Sequence, residues 1–202
     1  MRLILVRHAL PERVETVSEA PDPELSDTGR RQAAALAATL AEERIDAVWA
    51  SPLRRAVQTA EPLAAARGLD VRRHDGLVEF DFGHGVYIPA EETAHPVVRQ
   101  MRDRLDAQDG DEGLRRFRAT VAAAMGDVVA SGRPEDTIAV VCHGGVVNAY
   151  VAGVVGTRET IFAGIAYTGF SVLTVGRDGR VRLRSLNEHH HVRTLERVTS
   201  SG

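Results

Sequence analysis

The chain contains no lysine: all 25 of its basic side chains are arginine. A cationic contact made by this protein is therefore a planar guanidinium fork, matched to paired oxygens, rather than an ammonium point charge. There is a single cysteine, Cys142, which excludes an internal disulfide and fits a reducing compartment, so a cytoplasmic location is expected. No apolar run approaches the roughly 18 residues needed to cross a bilayer. The N-terminus opens straight into an apolar run, without the basic, apolar and cleavage-site series of a signal peptide. Excess charge is also missing. The formal net charge is −3, so no global field draws nucleic acid or an anionic membrane to the protein. Any anion it binds must be held by local positive charge. Neither repeats nor linkers interrupt the chain, and residues 1–202 read as one domain.

What is present is a pattern that occurs twice. Leu3-Ile4-Leu5-Val6 ends in Arg7-His8-Ala9, and Ile138-Ala139-Val140-Val141-Cys142 ends in His143-Gly144-Gly145. Short branched aliphatic runs bounded by small residues predict buried strands of a parallel sheet. In open α/β sheets ligands gather beyond the carboxyl ends of such strands. Further strands are predicted over 47–50, near Val71, over 170–175 and over 181–185, the last two flanking a hairpin-like turn at Gly176–Gly179. Helical periods start after a cap at Ser26, after Ser51-Pro52, over about 90–107, over 112–131 and over 145–155. Gly68 is a natural stop. The stretches 10–25 and 77–87 read as loops, and the tail after Arg193 as frayed. Strands alternating with helices predict a three-layer α/β/α sandwich around a mostly parallel central sheet.

Several residues carry chemistry. Neutral imidazole at His8 can attack phosphorus and hold the phosphoryl group transiently, with Arg7 as a fixed cation beside it. Arg54 and Arg55 stand in the first turn of a helix, where backbone N–H groups and guanidinium groups together suit an anion. Cations there oppose the helix dipole, a conflict that a bound anion would relieve. His143 precedes two glycines, where backbone can approach a ligand closely. Glu79, among Phe80 and Phe82, has the surroundings of a general acid, and Asp81 competes for that role. Cys142 belongs to an apolar run and reads as inert.

Together these residues resemble the histidine phosphatase superfamily, branch 1, the phosphoglycerate mutase-like proteins. The Arg-His pair falls on Arg7-His8. The Leu-Ser-x-x-Gly-x-x-Gln-Ala helix start falls on Leu25 to Ala33, and the Ser-x-Leu-x-Arg-Ala-x-Gln-Thr-Ala block on Ser51 to Ala60. The Leu-x-Glu acid falls on Glu79 and the late His-Gly-Gly on His143-Gly144-Gly145. The resemblance implies a metal-independent phosphomonoester hydrolase with no cofactor. His8 would be the nucleophile, Arg7, Arg55 and His143 would hold the phosphate, and Glu79 would act as acid and then base. The implied partner is a small-molecule phosphate ester, with neither nucleic acid nor membrane. Assembly is left between monomer and homodimer. Two departures stand out. Ala9 replaces the usual glycine and predicts an altered turn, and the segment after Glu79 lacks a second acid.

Two other functions compete: a mutase that returns the phosphoryl group to substrate, and a catalytically weak member that binds a phospho-ligand or a protein. The cluster Glu188-His189-His190-His191 suggests a metal site, but consecutive residues on a strand alternate faces, so no metal is expected there. Substrate specificity is expected to reside in 10–25 and 80–110.

Overall fold

The computed structural model describes residues 1–14, 21–80, 96 and 112–193. Six strands, β1 (Arg2–Arg7), β2 (Ala47–Ala50), β3 (Val71–Arg73), β4 (Thr137–Cys142), β5 (Phe170–Val175) and β6 (Val181–Glu188), form one sheet in the order β3-β2-β4-β1-β5-β6. β3, β2, β4 and β1 run parallel, while β5 is antiparallel to both β1 and β6. β4 inserts between β1 and β2, although the chain visits those two first. That insertion places the carboxyl ends of β1, β4 and β2 side by side, with Arg7 opposite Cys142 and Ala50 opposite Val141.

Among the described residues, four helices cover the sheet: α1 (Asp27–Thr39), α2 (Arg54–Ala65), α3 (Glu112–Ala130) and α4 (Gly144–Val155). The period of two sorts the strands between two cores. Leu3, Leu5, Ile138 and Val140 pack with Val121, Met125, Val146 and Val147 of α3 and α4. Ile4, Val6, Ala139 and Val141 pack with Leu36, Val57 and Leu63 of α1 and α2. Two helical layers thus sandwich the sheet, as the alternation of strands and helices implied. β1 and β4 are buried on both faces, which is why they read as unbroken apolar runs. Truncating a side chain such as Leu5 to alanine would cost about 2–5 kcal/mol, because little around it can collapse into the gap.

The Leu25–Ala33 segment is a latch on the chain just after His8. Ser26 caps α1 by accepting from the Gly29 N–H at 3.1 Å. Ser26 also donates, from both its backbone N–H and its hydroxyl, to the carbonyl of Leu10. Gln32 Oε1 accepts from the Leu10 N–H at 2.9 Å. Gly29 lies so close to Leu10 that a Cβ there would collide with the Leu10 carbonyl. Ala9 needs no left-handed conformation, since Thr168 and Asn187 are the non-glycine residues with positive φ among the described residues. The altered turn predicted at Ala9 is therefore accommodated without strain.

One cap differs from the sequence reading. Helix α2 starts at Arg54 with Leu53 as cap, and not at Pro52 with Ser51 as cap. Ser51 is fully buried, and its hydroxyl pairs with His143 Nε2 at 2.9 Å while accepting only a longer bond, 3.4 Å, from the Leu53 N–H. The turn after α2 closes at Gly68, φ +63°. β5 and β6 form the expected hairpin around Gly176–Gly179. A 3₁₀ turn, Asp75–Leu77, leads into the Glu79 stretch. Nearly all of the helix read over 90–107, residues 15–20 of the 10–25 loop, residues 81–87 of the 77–87 loop and the tail after Arg193 lie outside the described residues.

Candidate active site

His8, Ser51 and His143 each follow directly on a parallel strand. The His8 N–H donates to Cys142 O at 2.8 Å and the Ser51 N–H to Val141 O at 2.9 Å, so the ladder hydrogen bonding continues into the site. All three side chains are buried, together with Arg7 and Arg55. The His8 and His143 rings meet edge to face with centroids 5.0 Å apart. The guanidinium carbon of Arg7 lies 3.8 Å from the centre of the Tyr167 ring, a cation–π contact. Tyr167 also flanks His8, at 5.7 Å.

Geometry settles the tautomer of His8. Its Nδ1 lies 2.7 Å from the carbonyl of Ala9, and a carbonyl only accepts, so Nδ1 carries the proton. The lone pair of the neutral ring is then on Nε2. Burial holds His8 neutral by pushing its pKa well below the usual imidazole value, and the charges of Arg55 and Arg7 push the same way. His143 is driven down likewise, by burial first and then by Arg55, His8 and Arg7. Nε2 of His143 pairs with Ser51 Oγ at 2.9 Å. Its Nδ1 is buried and meets no hydrogen-bond partner among the described residues. Cys142 faces the apolar core, and burial raises its thiol pKa far above the ordinary range, which leaves it inert as a nucleophile.

Glu79 reaches the first turn of α4. One carboxylate oxygen accepts from the Gly145 N–H at 3.0 Å and the other from the Phe80 N–H at 2.9 Å. Gly144, next along, would place a Cβ 3.7 Å from the Arg7 side chain, so Glu79 borders the same crevice. Asp81, its competitor, lies outside the described residues.

Other residues here escaped the sequence reading. Thr59 accepts from the Ala9 N–H at 2.9 Å and donates to Arg55 O at 2.6 Å, tying the His8 turn to α2. Asp22 accepts from the Arg54 N–H at 2.9 Å through Oδ1, and the same oxygen stands 3.6 Å from Arg55 Nη1. Glu24 pairs with the Arg54 side chain. Two carboxylates, Asp22 and Glu24, thus meet the basic start of α2. Asn148 bonds Gly144 O, Ala163 O and the Phe162 and Ala163 N–H groups; a lone amide in the apolar run Val146–Val151 was the available signal. The histidines at 189–191 lie beyond β6, in and just before a 3₁₀ turn, His190–Val192, instead of alternating along a strand. His189 Nδ1 turns to Asn187 O and His191 Nε2 to Thr168 Oγ1, while the His190 and His191 rings meet edge to face with centroids 5.8 Å apart. Among the described residues no group of side chains is arranged to hold a metal ion, and no helix is long and apolar enough to cross a membrane.

Comparison with known proteins bears on the family and the fold. The model of the histidine phosphatase superfamily (branch 1) matches residues 3–189. Phosphoserine phosphatase 1 of Hydrogenobacter thermophilus is 41% identical over 104 residues, which are 50% of this chain and 49% of that protein. The match thus spans about half the length of that relative. Among solved structures, the phosphoserine phosphatase of Entamoeba histolytica in complex with 3-phosphoglyceric acid superposes with a TM-score of 0.75 at 25% identity. It covers 95% of this chain and 98% of its own. The mycobacterial glucosyl-3-phosphoglycerate phosphatase Rv2419c gives 0.73 at 26% identity, covering 92% and 98%.

Proposed function

The chain belongs to the histidine phosphatase superfamily (branch 1), and from that premise we propose that it hydrolyses the phosphomonoester of a small phosphorylated metabolite through a phosphohistidine on His8. The observation that carries this reading is a neutral imidazole with its free lone pair on Nε2, packed beside a second neutral imidazole and two buried guanidinium groups. Nε2 of His8 attacks phosphorus as the ester P–O bond breaks. Arg7, Arg55 and His143 hold the non-bridging oxygens, and catalysis is mostly positioning and charge stabilisation. Glu79 gives its proton to the leaving alkoxide. The resulting carboxylate takes a proton from water as that water attacks phosphorus, which releases phosphate and regenerates His8. The guanidinium groups do the neutralising, so the scheme calls for no metal. A single buried cysteine fits a reducing setting, and we place the activity in the cytoplasm.

The decisive experiment is hydrolysis of p-nitrophenyl phosphate with EDTA present, wild type against His8→Ala. Turnover that survives EDTA and vanishes in the variant is the expected result. A fully active His8→Ala enzyme would sink the mechanism. Absence of turnover in both, with phosphotransfer appearing on addition of bisphosphoglycerate, would replace the hydrolase with a mutase.

A further inference from the structure

We propose that Asn187 and His191, at the end of β6 and just beyond it, are positioning residues for Arg7, acting through the 164–169 loop. The proposal rests on the role given to Arg7 above.

The loop touches Arg7 four ways. Ile165 O accepts from Arg7 Nη1, the Tyr167 ring lies against the guanidinium, the Thr168 N–H donates to the Arg7 carbonyl at 3.1 Å, and the Arg7 N–H donates to Gly169 O at 3.0 Å. Guanidinium direction, guanidinium face and backbone are thus all referred to one loop. Within the loop the Gly169 N–H donates to Ala166 O at 2.9 Å, and side chains from beyond it add to that hold. Asn187 clamps it across the chain, with Oδ1 accepting from the Ala166 N–H at 2.9 Å and Nδ2 donating to Gly164 O at 2.9 Å.

His191 holds the other end. Thr168 Oγ1 lies 2.7 Å from Tyr167 O, and a carbonyl only accepts, so the hydroxyl proton is spent there. His191 Nε2, 3.1 Å from the same oxygen, must therefore be the donor. The ring is thereby set as the Nε2–H tautomer. Its Nδ1 is buried without a hydrogen-bond partner among the described residues, so a second proton would have nowhere to bond. Consistent with that, burial and the neighbouring His190 and His189 push its pKa down to about 4. His191 is a neutral strut, anchored by the fully buried Val192 beside it.

Backbone conformation points the same way. Thr168, φ +52°, and Asn187, φ +56°, are the non-glycine residues with positive φ among the described residues. For a β-branched residue such as threonine that conformation is a true outlier. Such outliers persist only where surrounding structure over-determines them, and they cluster at functional sites. Here both belong to the single assembly that ends on Arg7. The histidine run that looked like a metal cluster in the sequence thus has a different use, with one of its members carrying a hydrogen bond into the site.

The test uses Asn187→Gly, which tolerates the left-handed backbone while removing the amide clamps, together with His191→Leu and His191→Gln. Asn187→Gly and His191→Leu should each lower kcat/KM on p-nitrophenyl phosphate by about 10- to 100-fold, the scale of a small misplacement of a catalytic group. The inhibition constant of inorganic phosphate should rise in parallel. The glutamine variant retains an N–H donor and should recover most of both losses. On an Arg7→Ala background, Asn187→Gly should cost nothing further. Additive losses in that cycle, or variants that lower the melting temperature and leave phosphate inhibition unchanged, would overturn the proposal. If the wild type shows no turnover, the hydrolase reading fails by itself. Calorimetric titration of inorganic phosphate into the same variants still decides this one: weakened binding supports it, and unchanged binding overturns it.

Discussion

A Cβ placed on Gly145 would collide with Oε1 of Glu79, whose other oxygen accepts from the Gly145 N–H. The second glycine after His143 is therefore what lets the carboxylate come down onto the start of α4. Gly145→Ala should push Glu79 away from the crevice without altering the phosphate-holding residues. Glu79→Gln removes the proton altogether. Both variants should slow alkyl phosphates, whose alkoxide needs protonation, far more than aryl phosphates, by about 100-fold against a few-fold. The check is a leaving-group series on each variant. Equal losses along the series would move the acid elsewhere.

Burial lowers the pKa values of His8 and His143, so the folded protein keeps them neutral where the unfolded chain binds protons. Below about pH 6.5 the unfolded state takes up more protons, and stability falls as pH falls, by up to about 1.4 kcal/mol per pH unit for each group. Above that pH these histidines contribute no slope. His191 adds to the loss down to about pH 4. Glu43 is held low by its hydrogen bond from Arg2, and Asp46 by its bond from the Thr137 N–H; both lose their contribution as pH falls from the ordinary carboxylate value through the lowered one. Urea denaturation at pH 7.5, 6.0 and 5.0 should show the decline, and His8→Asn should make it shallower. A variant slope identical to that of the wild type would contradict the assignment.

Asp22 stands 3.6 Å from Arg55, the arginine to which the proposed mechanism assigns the phosphate. Asp22→Asn keeps an oxygen to accept from the Arg54 N–H but removes the competing charge. Inorganic phosphate should inhibit the variant more tightly, by about 3- to 10-fold at low ionic strength, with the gain shrinking as salt is added. Weaker inhibition in the variant would mean that Asp22 supports the bound anion instead of standing in for it.

Thr59 is the link between the His8 turn and α2. Thr59→Val fills the same space but leaves the buried Ala9 N–H without its acceptor, at a cost of about 1–3 kcal/mol. Thr59→Ser should keep both hydrogen bonds and most of the stability. The midpoints of thermal unfolding for the two variants are the measurement; a serine variant as damaged as the valine would point to methyl packing as the role of this residue.

The readable parts of the sequence were those with local causes. β1 and β4 announce themselves because a strand buried on both faces has no polar positions to interrupt it. The α1 cap was legible because Ser26 and Gly29 meet within one turn. Ser51-Pro52 misled for a non-local reason: the serine has all the marks of a cap, yet its hydroxyl is claimed by His143 from the neighbouring strand. The roles of Asp22, Asn187 and His191 were not legible, since each acts on a partner distant in sequence. The His189–His191 run suggested a metal, and only the tertiary structure shows His189 and His191 turned to different partners, Asn187 O and Thr168 Oγ1.

By itself the sequence determined the alternation of strands and helices, the apolar faces, and the identities of the residues at the strand ends. These follow from period and propensity, which act over a few neighbours. Tertiary structure alone decided the rest. Insertion of β4 between β1 and β2 is what sets His8 against His143 and Ser51. Burial is what disfavours the charged form of both imidazoles, and packing decides which oxygen meets which N–H. Those are relations between distant segments, and the free energy that selects them comes into being only when the sheet closes and water leaves.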